Sequence, residues 1–355
     1  MLCRFCWKGK NWVLYEAMEA GLVDAVVPDG ELLSSAKAWI LGPKAKTVQP
    51  WDTKGFRIPG GPPMSPAVIE TLGAAIAMVR ARTAGLYPAP VDILSCVSEG
   101  CAVDIDTGLK IEQRYFLHAL GMPQTRNLVR LCFSRGELNK ASYTTRLLST
   151  YINEGLAMLG EGIAPALIEN AGRMAGLPSG PLASADELSL DLLQHVRNES
   201  MGVLQVMVNL HGRLGKKMGQ GFYDYSAGPK KRLWPELKDH FPARSDQPGV
   251  EELIQRFLYV QSLEAVRCIE EGVVSDARDA DVGSVSGWGF CPAMGGVISY
   301  IETVGIGAFA TECQRLERAY GERFARPRLL LDMVAKGESL HNSIAFPSSY
   351  GKYRA

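Results

Sequence analysis

Apolar residues recur every three to four positions through SYTTRLLSTYINEGLAMLGEG, residues 142–162. Leu147, Leu148, Tyr151, Ile152, Leu156 and Leu159 fall on one face, which predicts an amphipathic helix. Gly160 and Gly162 suit its C-terminal end, and Pro165 stops any continuation. The pattern returns 110 positions later without a gap: Arg146 falls on Arg256, Glu154 on Glu264, Glu161 on Glu271 and Gly162 on Gly272. Each copy then carries a small helical segment, a Gly-containing turn and a proline, Pro181 or Pro292, before another helix. Two copies predict a duplicated helical domain whose halves pack face to face, because a solenoid needs more repeats.

The rest of the chain alternates helical faces with turn signals. Glu16–Ala20 ends at Gly21, and LVDAVVP reads as a short apolar strand closed by Pro28. Asp29 reads as the cap of a helix with Leu32, Leu33, Ala36 and Ile40 on one face. Residues 49–65 are rich in Pro and Gly and read as a linker. Ser65-Pro66 opens a helix, a capping serine before Pro at the first turn. Further helices are expected near 90–100, 107–120 and 124–136. In PSGPLASADELSLDLLQHV a turn leads to a cap at Ser184 or Asp186 and then a helix. LGKKMGQGFYDYS reads as a tight turn followed by an extended segment, and residues 226–249 as a second linker.

Composition narrows the function classes. Thirty-eight basic and 38 acidic residues balance, so no overall field favours nucleic acid or an anionic membrane. The local run Lys230-Lys231-Arg232 reads as a solvated loop. Eight scattered cysteines in a large apolar chain point to free thiols in a reducing compartment, hence a cytoplasmic protein. Cys3 and Cys6 form a CxxC with no second pair at zinc spacing, and the five histidines form no HxxxH or HExxH, so no metal is expected. No apolar run is long enough to span a membrane.

The motifs YINEGLAMLGEG, GPLASADELSLD and LGKKMGQGFYDY together resemble the C-terminal helical domain of the 3-hydroxyacyl-CoA dehydrogenases. GWGFCPAMGG and YIETVGIGAFA in the second copy resemble the second such domain of the bifunctional β-oxidation proteins, which join an enoyl-CoA hydratase (crotonase-like) domain to the dehydrogenase. EAMEAGLVDAVVPDGELLSSAKAWI resembles the end of their hydratase domain, and QPWDTKGFRIPGG with the helices up to Asn139 resembles their linking region. The expected fold is therefore mainly α: tandem duplicated dehydrogenase C-terminal helical domains (142–228 and 250–340), preceded by the end of a crotonase-like domain (1–48) and a linker and helical region (49–141).

The resemblance implies an acyl-CoA substrate and NAD as the cofactor of the full-length family. It also implies a homodimer or a thiolase-containing complex as assemblies. It assigns no catalytic residue here, because the family's catalytic His and Glu lie in a nucleotide-binding domain. Here Leu138-Asn139-Lys140-Ala141 runs straight into the helix at Ser142. A dinucleotide unit needs a strand, a GxGxxG turn and a helix, so NAD is not expected to bind this chain alone. Gly305-x-Gly307-x-x-Ala310 matches the fingerprint loosely, but no second strand or strand-end acid follows. The hydratase oxyanion hole and carboxylates would lie before the matching stretch. Glu16 and Glu19 read as solvated. Thr145 stands immediately before the Arg of the opening helix, where the family places Asn, Ser or Thr. With Gly180 and Pro181 it is the expected substrate contact. Two further expectations are a role for GKKMGQG as a structural turn rather than a phosphate cradle, and for His118 as a packed or half-exposed residue. The competing reading is a non-catalytic helical scaffold or dimerisation module.

Overall fold

The computed structural model describes residues 13–43, 45, 48–58, 63–134, 141–194, 201–225 and 231–341. The Cys3–Cys6 pair, the junction at Leu138–Lys140 and Lys230 lie outside the described residues. The chain divides into two compact units, Met1–Gly121 and Met122–Ala355.

The first unit holds helices α1 (Leu14–Glu19), α2 (Leu32–Leu41), α3 (Pro66–Thr83), α4 (Ala89–Gly100) and α5 (Ile105–Gly121). Pro66 occupies the first position of α3 as expected, but the Ser65 side chain before it makes no capping hydrogen bond. Leu72, Ala75 and Val79 of α3 pack on Leu94 of α4, and this small cluster is the unit's core. Gly21 ends the first helical segment with φ +72°. Two expectations fail nearby. LVDAVVP is irregular, because a strand forms only where a neighbour satisfies its backbone groups, and no described segment of this unit pairs with it. The α2 face is exposed at Leu32, Leu33 and Ile40, and its start carries no side-chain cap.

The second unit begins with α6 (Pro123–Phe133), then α7 (Ala141–Gly160), α8 (Pro165–Met174), α9 (Pro181–Leu188), α10 (Leu190–Gln194) and α11 (Met201–Gln205). A two-stranded antiparallel ribbon follows: β1 (Tyr223–Asp224) and β2 (Arg232–Leu233), with Tyr223 opposite Leu233. Next come α12 (Leu237–His240), α13 (Val250–Glu270), α14 (Ala277–Val282), α15 (Val297–Val304), α16 (Ile306–Tyr320) and α17 (Arg328–Lys336). One hydrophobic core runs through this unit from Tyr143 to Leu340. The predicted face of α7 is buried at Leu147, Tyr151, Ile152, Leu156 and Leu159.

The two helices that share the repeated frame, α7 and α13, pack on each other. Arg146 near the start of α7 donates to Glu264 (2.7 Å) and Glu271 (2.5 Å) at the end of α13. Arg256 near the start of α13 donates to Glu154 (2.6 Å) and Glu161 (2.7 Å) at the end of α7. Each start lies beside the other's end, so the pair is antiparallel and its ionic contacts are reciprocal. The helices that follow are exchanged as well. α8 packs on α13, whereas the turn Gly283–Trp288 after α14 packs on α7. Tyr143 Oη donates to Ala280 O at 2.9 Å. Thr144 presses so closely on Gly287 that a side chain there would collide with it.

Three further sequence expectations are settled by this unit. Ser184 and Asp186 lie inside α9 rather than at its cap, since Pro181 opens the helix and Gly180 precedes it. VISYIET, ahead of Gly305, is helical. GKKMGQG closes on itself through Gly215 N to Gln220 O (2.7 Å), and Lys216 pairs with Glu187 (2.6 Å), as a structural turn does.

Candidate functional site

The corner before α9 gathers the most polar chemistry of the segment that carries the predicted contacts. A helix start leaves N–H groups without intrahelical partners. Here the carboxylate of Glu169, on α8, accepts from Leu182 N (2.8 Å) and Ala183 N (3.3 Å). It also accepts from Tyr223 Oη at 2.6 Å. Gly180 is required beside it, because any side chain would run into the Glu169 carboxylate. The Pro181 ring packs against Gly155 of α7, another position with no room for a side chain. Tyr151 Oη donates to Ser179 O at 2.8 Å and fixes the corner from the other side.

Asp186, one turn into α9, carries the ribbon. Its carboxylate accepts from Phe222 N (2.8 Å), Tyr223 N (2.9 Å) and Tyr225 Oη (3.0 Å). Burial pushes its pKa up to about 6, against the pull of those three donors. Burial likewise raises the phenols of Tyr223 and Tyr225, and the neighbouring carboxylates Glu169 and Asp186 add to the effect. Arg213 completes the cluster, donating to Gly221 O (2.7 Å) and Asp224 (2.5 Å). The cluster is thus a set of internal clasps. Each carboxylate is buried with its acceptors taken by protein donors, so neither is placed to exchange a proton with a substrate.

Of the three predicted substrate contacts, Thr145 is exposed at the start of α7, while Gly180 and Pro181 are buried in the α9 corner. Gly180 and Pro181 therefore shape the corner. Thr145 is the one whose side chain faces solvent, next to Arg146 and its ion pairs.

A similar corner lies before α15, with different partners. Asp281 of α14 accepts from Ile298 N (2.7 Å), Ser299 N (3.1 Å) and Ser299 Oγ (2.6 Å) at the start of α15. Gly296 faces that carboxylate as Gly180 faces Glu169. His341 Nε2 lies 3.2 Å from Asp281, and Arg130 of α6 donates to Ser299 Oγ at 3.1 Å. Ser, His and Asp meet here, but Asp281 and Ser299 bond directly and share one imidazole nitrogen. A hydrolytic triad needs Ser and Asp on opposite ring nitrogens. Glu169 and Asp281 escaped the sequence reading, in which Asp186 is only a candidate cap. The available signal was a carboxylate inside an otherwise apolar helix, LIENA, LASADEL and ARDADV.

In the first unit, His118 of α5 is half-exposed, with Nδ1 3.0 Å from Asp92 on α4. Tyr115 Oη donates to Glu99 at 2.5 Å, and these residues with Arg114 line a shallow cleft of about 350 Å³.

Comparison with known proteins places one segment. Residues 143–225 match the family model described as 3-hydroxyacyl-CoA dehydrogenase, C-terminal domain. The matched segment runs from the start of α7 to the tyrosine that Asp186 holds. Among solved structures, the dehydrogenase part of multifunctional enzyme 1 from C. elegans is similar at 21% identity, over 54% of this chain and 47% of that one, with a TM-score of 0.43. The 3-hydroxybutyryl-CoA dehydrogenase from Escherichia coli K12 is similar at 19% identity, over 54% of this chain and 59% of that one, with a TM-score of 0.41. The chain spans about half the length of these structures.

A dinucleotide unit places its glycine turn between a strand and a helix. Gly305 and Gly307 instead lie between α15 and α16, two helices. The described residues ahead of α7, from Pro66 to Phe133, are helices and their connections. Gly305 and Gly307 therefore do not form such a glycine turn. No group of three or more His, Cys, Asp or Glu converges to hold a metal among the described residues, and no described helix is long and apolar enough to cross a membrane.

Proposed function

We propose that this chain is a 3-hydroxyacyl-CoA dehydrogenase-family protein of fatty-acid β-oxidation that is catalytically incomplete by itself. The observation that carries the reading is the family match over residues 143–225. On this reading the full-length family oxidises the 3-hydroxyl of an acyl-CoA with NAD, and this chain supplies helical domains that close over the acyl-CoA. Thr145, exposed at the start of α7, is the proposed substrate contact, with Gly180 and Pro181 shaping the corner behind it. Residues 142–228 and 250–340 are the proposed duplicated modules. The reciprocal pairs of Arg146 and Arg256, and the matching corners of Glu169 with Gly180 and Asp281 with Gly296, support that assignment. Residues 1–48 are proposed as the end of a crotonase-like domain, and 49–141 as the linking region.

The test is a titration of the purified chain with NADH and acetoacetyl-CoA, following NADH fluorescence and absorbance. We expect neither NADH binding nor turnover. NADH oxidation by the chain alone would overturn the incompleteness. Acetoacetyl-CoA binding that weakens in Thr145→Ala would support the acyl-CoA role, and unchanged binding in that variant would remove Thr145 from the site.

A second reading, a non-catalytic helical scaffold or dimerisation module, is favoured by one observation. The buried carboxylates of the α9 corner are fully engaged in holding protein N–H and O–H groups. Light scattering separates the oligomeric alternatives: a clean monomer would sink the dimerisation module.

A further inference from the structure

Thr145 is exposed, yet the residues on either side of it are held by elements that come much later in the chain. Tyr143 is 2% exposed, and its Oη donates to Ala280 O of α14 at 2.9 Å. Its ring lies over Gly283, where an added Cβ would stand 3.1 Å from it. Thr144 fills the space over Gly287, where an added Cβ would collide with its Cγ2. Arg146 donates to Glu264 and Glu271 at the end of α13. The first turn of α7 is thus gripped from outside on both sides of Thr145. That is where a grip matters most, because the first N–H groups of a helix have no intrahelical partner and helix ends fray.

We propose that Gly287, with Ala280 and Glu271, is a positioning residue that fixes the orientation in which Thr145 meets an acyl-CoA. The proposal rests on the reading of Thr145 as the substrate contact. None of the three residues needs to touch the ligand. They act through Thr144, Tyr143 and Arg146, the neighbours of Thr145 in the same turn. Gly287 is the sharpest of them because its contact is steric. Thr144 is β-branched and has few rotamers to retreat into, so a methyl group added at 287 displaces the helix turn as well as the side chain. Contacts made only in the bound geometry depend on such placement, and a small misplacement from a change outside the site weakens them.

The test uses the purified full chain carrying Gly287→Ala, with Thr144→Ser as the compensating change. Serine keeps the hydroxyl of Thr144 and lacks the methyl that an alanine at 287 would strike. Two readouts separate the turn from the ligand. The methyl resonance of Thr145, assigned by its loss in Thr145→Ala, reports the turn, and calorimetry with acetoacetyl-CoA reports the contact. Gly287→Ala should shift the methyl resonance and weaken acetoacetyl-CoA by up to about tenfold, the worth of one hydrogen bond. Thr144→Ser should restore both, and Gly287→Ala added to Thr145→Ala should weaken binding no further. A general loss of stability predicts neither the rescue nor the non-additivity. An unmoved Thr145 resonance in folded Gly287→Ala would overturn the positioning alone, as would a binding loss that Thr144→Ser does not rescue. Absence of acetoacetyl-CoA binding by the unmodified chain, or binding untouched by Thr145→Ala, would instead remove the acyl-CoA reading and this role with it. Circular dichroism checks folding. If Gly287→Ala does not fold, Tyr143→Phe decides: it removes only the bond to Ala280 O and should move both readouts in the same direction by less.

Discussion

Arg146 and Arg256 hold the same place in the repeated R-x7-E-x6-EG frame, and each reaches two glutamates of the opposite helix. Their surroundings differ. The Arg256 side chain is 1% exposed and its partner Glu154 is fully buried. Tyr320 stacks on the guanidinium at 3.8 Å, and Arg323 bonds both glutamates from the other side, at 2.6 and 2.7 Å. The Arg146 side chain is 32% exposed and its partner Glu271 is 51% exposed. Both arginines have pKa values raised above the ordinary range. For Arg146 the hydrogen bond to Glu271 dominates, whereas for Arg256 burial opposes the charge and Glu154 and Glu161 overcome it. One sequence frame thus yields a dry ionic cluster at one end of the helix pair and a wet one at the other. The energetic weight of a pair follows its solvent, not its spacing.

The largest expected effect tests the dry end. Arg256→Met strips Glu154 of one partner in a place water cannot replace it. Removing one member of a buried ion pair costs about 3–5 kcal/mol. Urea denaturation should show that loss as a lower midpoint at unchanged slope. A loss as small as that expected at Arg146 would break the comparison.

The next tests compare the two corners. Glu169→Ala orphans Leu182 N, Ala183 N and Tyr223 Oη, and Asp281→Ala orphans Ile298 N, Ser299 N and Ser299 Oγ. Each change should cost on the order of 2–3 kcal/mol in a thermal or urea melt, the usual penalty for unpaired buried donors. Losses that differ widely would mean that the two corners are alike in geometry and unlike in weight, with Arg130 and His341 compensating at the second.

Much of this architecture can be read from residue order, and the unread part has a common cause. The α7 face is legible because Leu147, Tyr151, Ile152, Leu156 and Leu159 are apolar at helical spacing, and all are buried. The reciprocal partners are legible as a repeat but not as a contact, since the frame says that Arg146 and Arg256 correspond and is silent on what each touches. Glu169 and Asp281 carry no periodic signal in the sequence order, and Asp186 reads there only as a candidate helix cap. They are buried because their partners arrive from segments 13 to 54 residues away in sequence. LVDAVVP fails for the mirror reason: its apolar run fits a strand, but a strand exists only with a neighbour. At the proposed substrate contact, Thr145, Gly180 and Pro181 are small residues with no period of their own. Which of them meets solvent depends on the corner that Glu169 builds.

An effect of similar size, on the order of 3 kcal/mol, separates the corners by pH. Burial raises the folded-state pKa of Asp186 to about 6 from the ordinary 3.8. Between those values the native protein holds a proton that the unfolded chain has released. Asp186 therefore favours the fold most below about pH 4, and that contribution is lost as pH rises through 6. Melts between pH 4 and pH 7 should fall in stability with rising pH, and Asp186→Asn should flatten that slope. A slope that the substitution leaves untouched would mean that the three donors hold Asp186 ionised throughout.

The smallest effect belongs to the wet end. Arg146→Met leaves Glu264 with Arg267, which lies 3.2 Å away, and leaves Glu271 to water. Exposed pairs contribute about 0.2–1 kcal/mol, so the melt should move little. In a double-mutant cycle, Arg146→Met with Glu271→Gln should show coupling below about 1 kcal/mol, shrinking further at high salt. Glu271 is held below the usual carboxylate range mainly by its hydrogen bond to Arg146. The coupling should therefore also fade as acid protonates Glu271. Coupling as large as that of Arg256 with Glu154 would show that position in the helix pair, rather than access of water, sets the strength of these contacts.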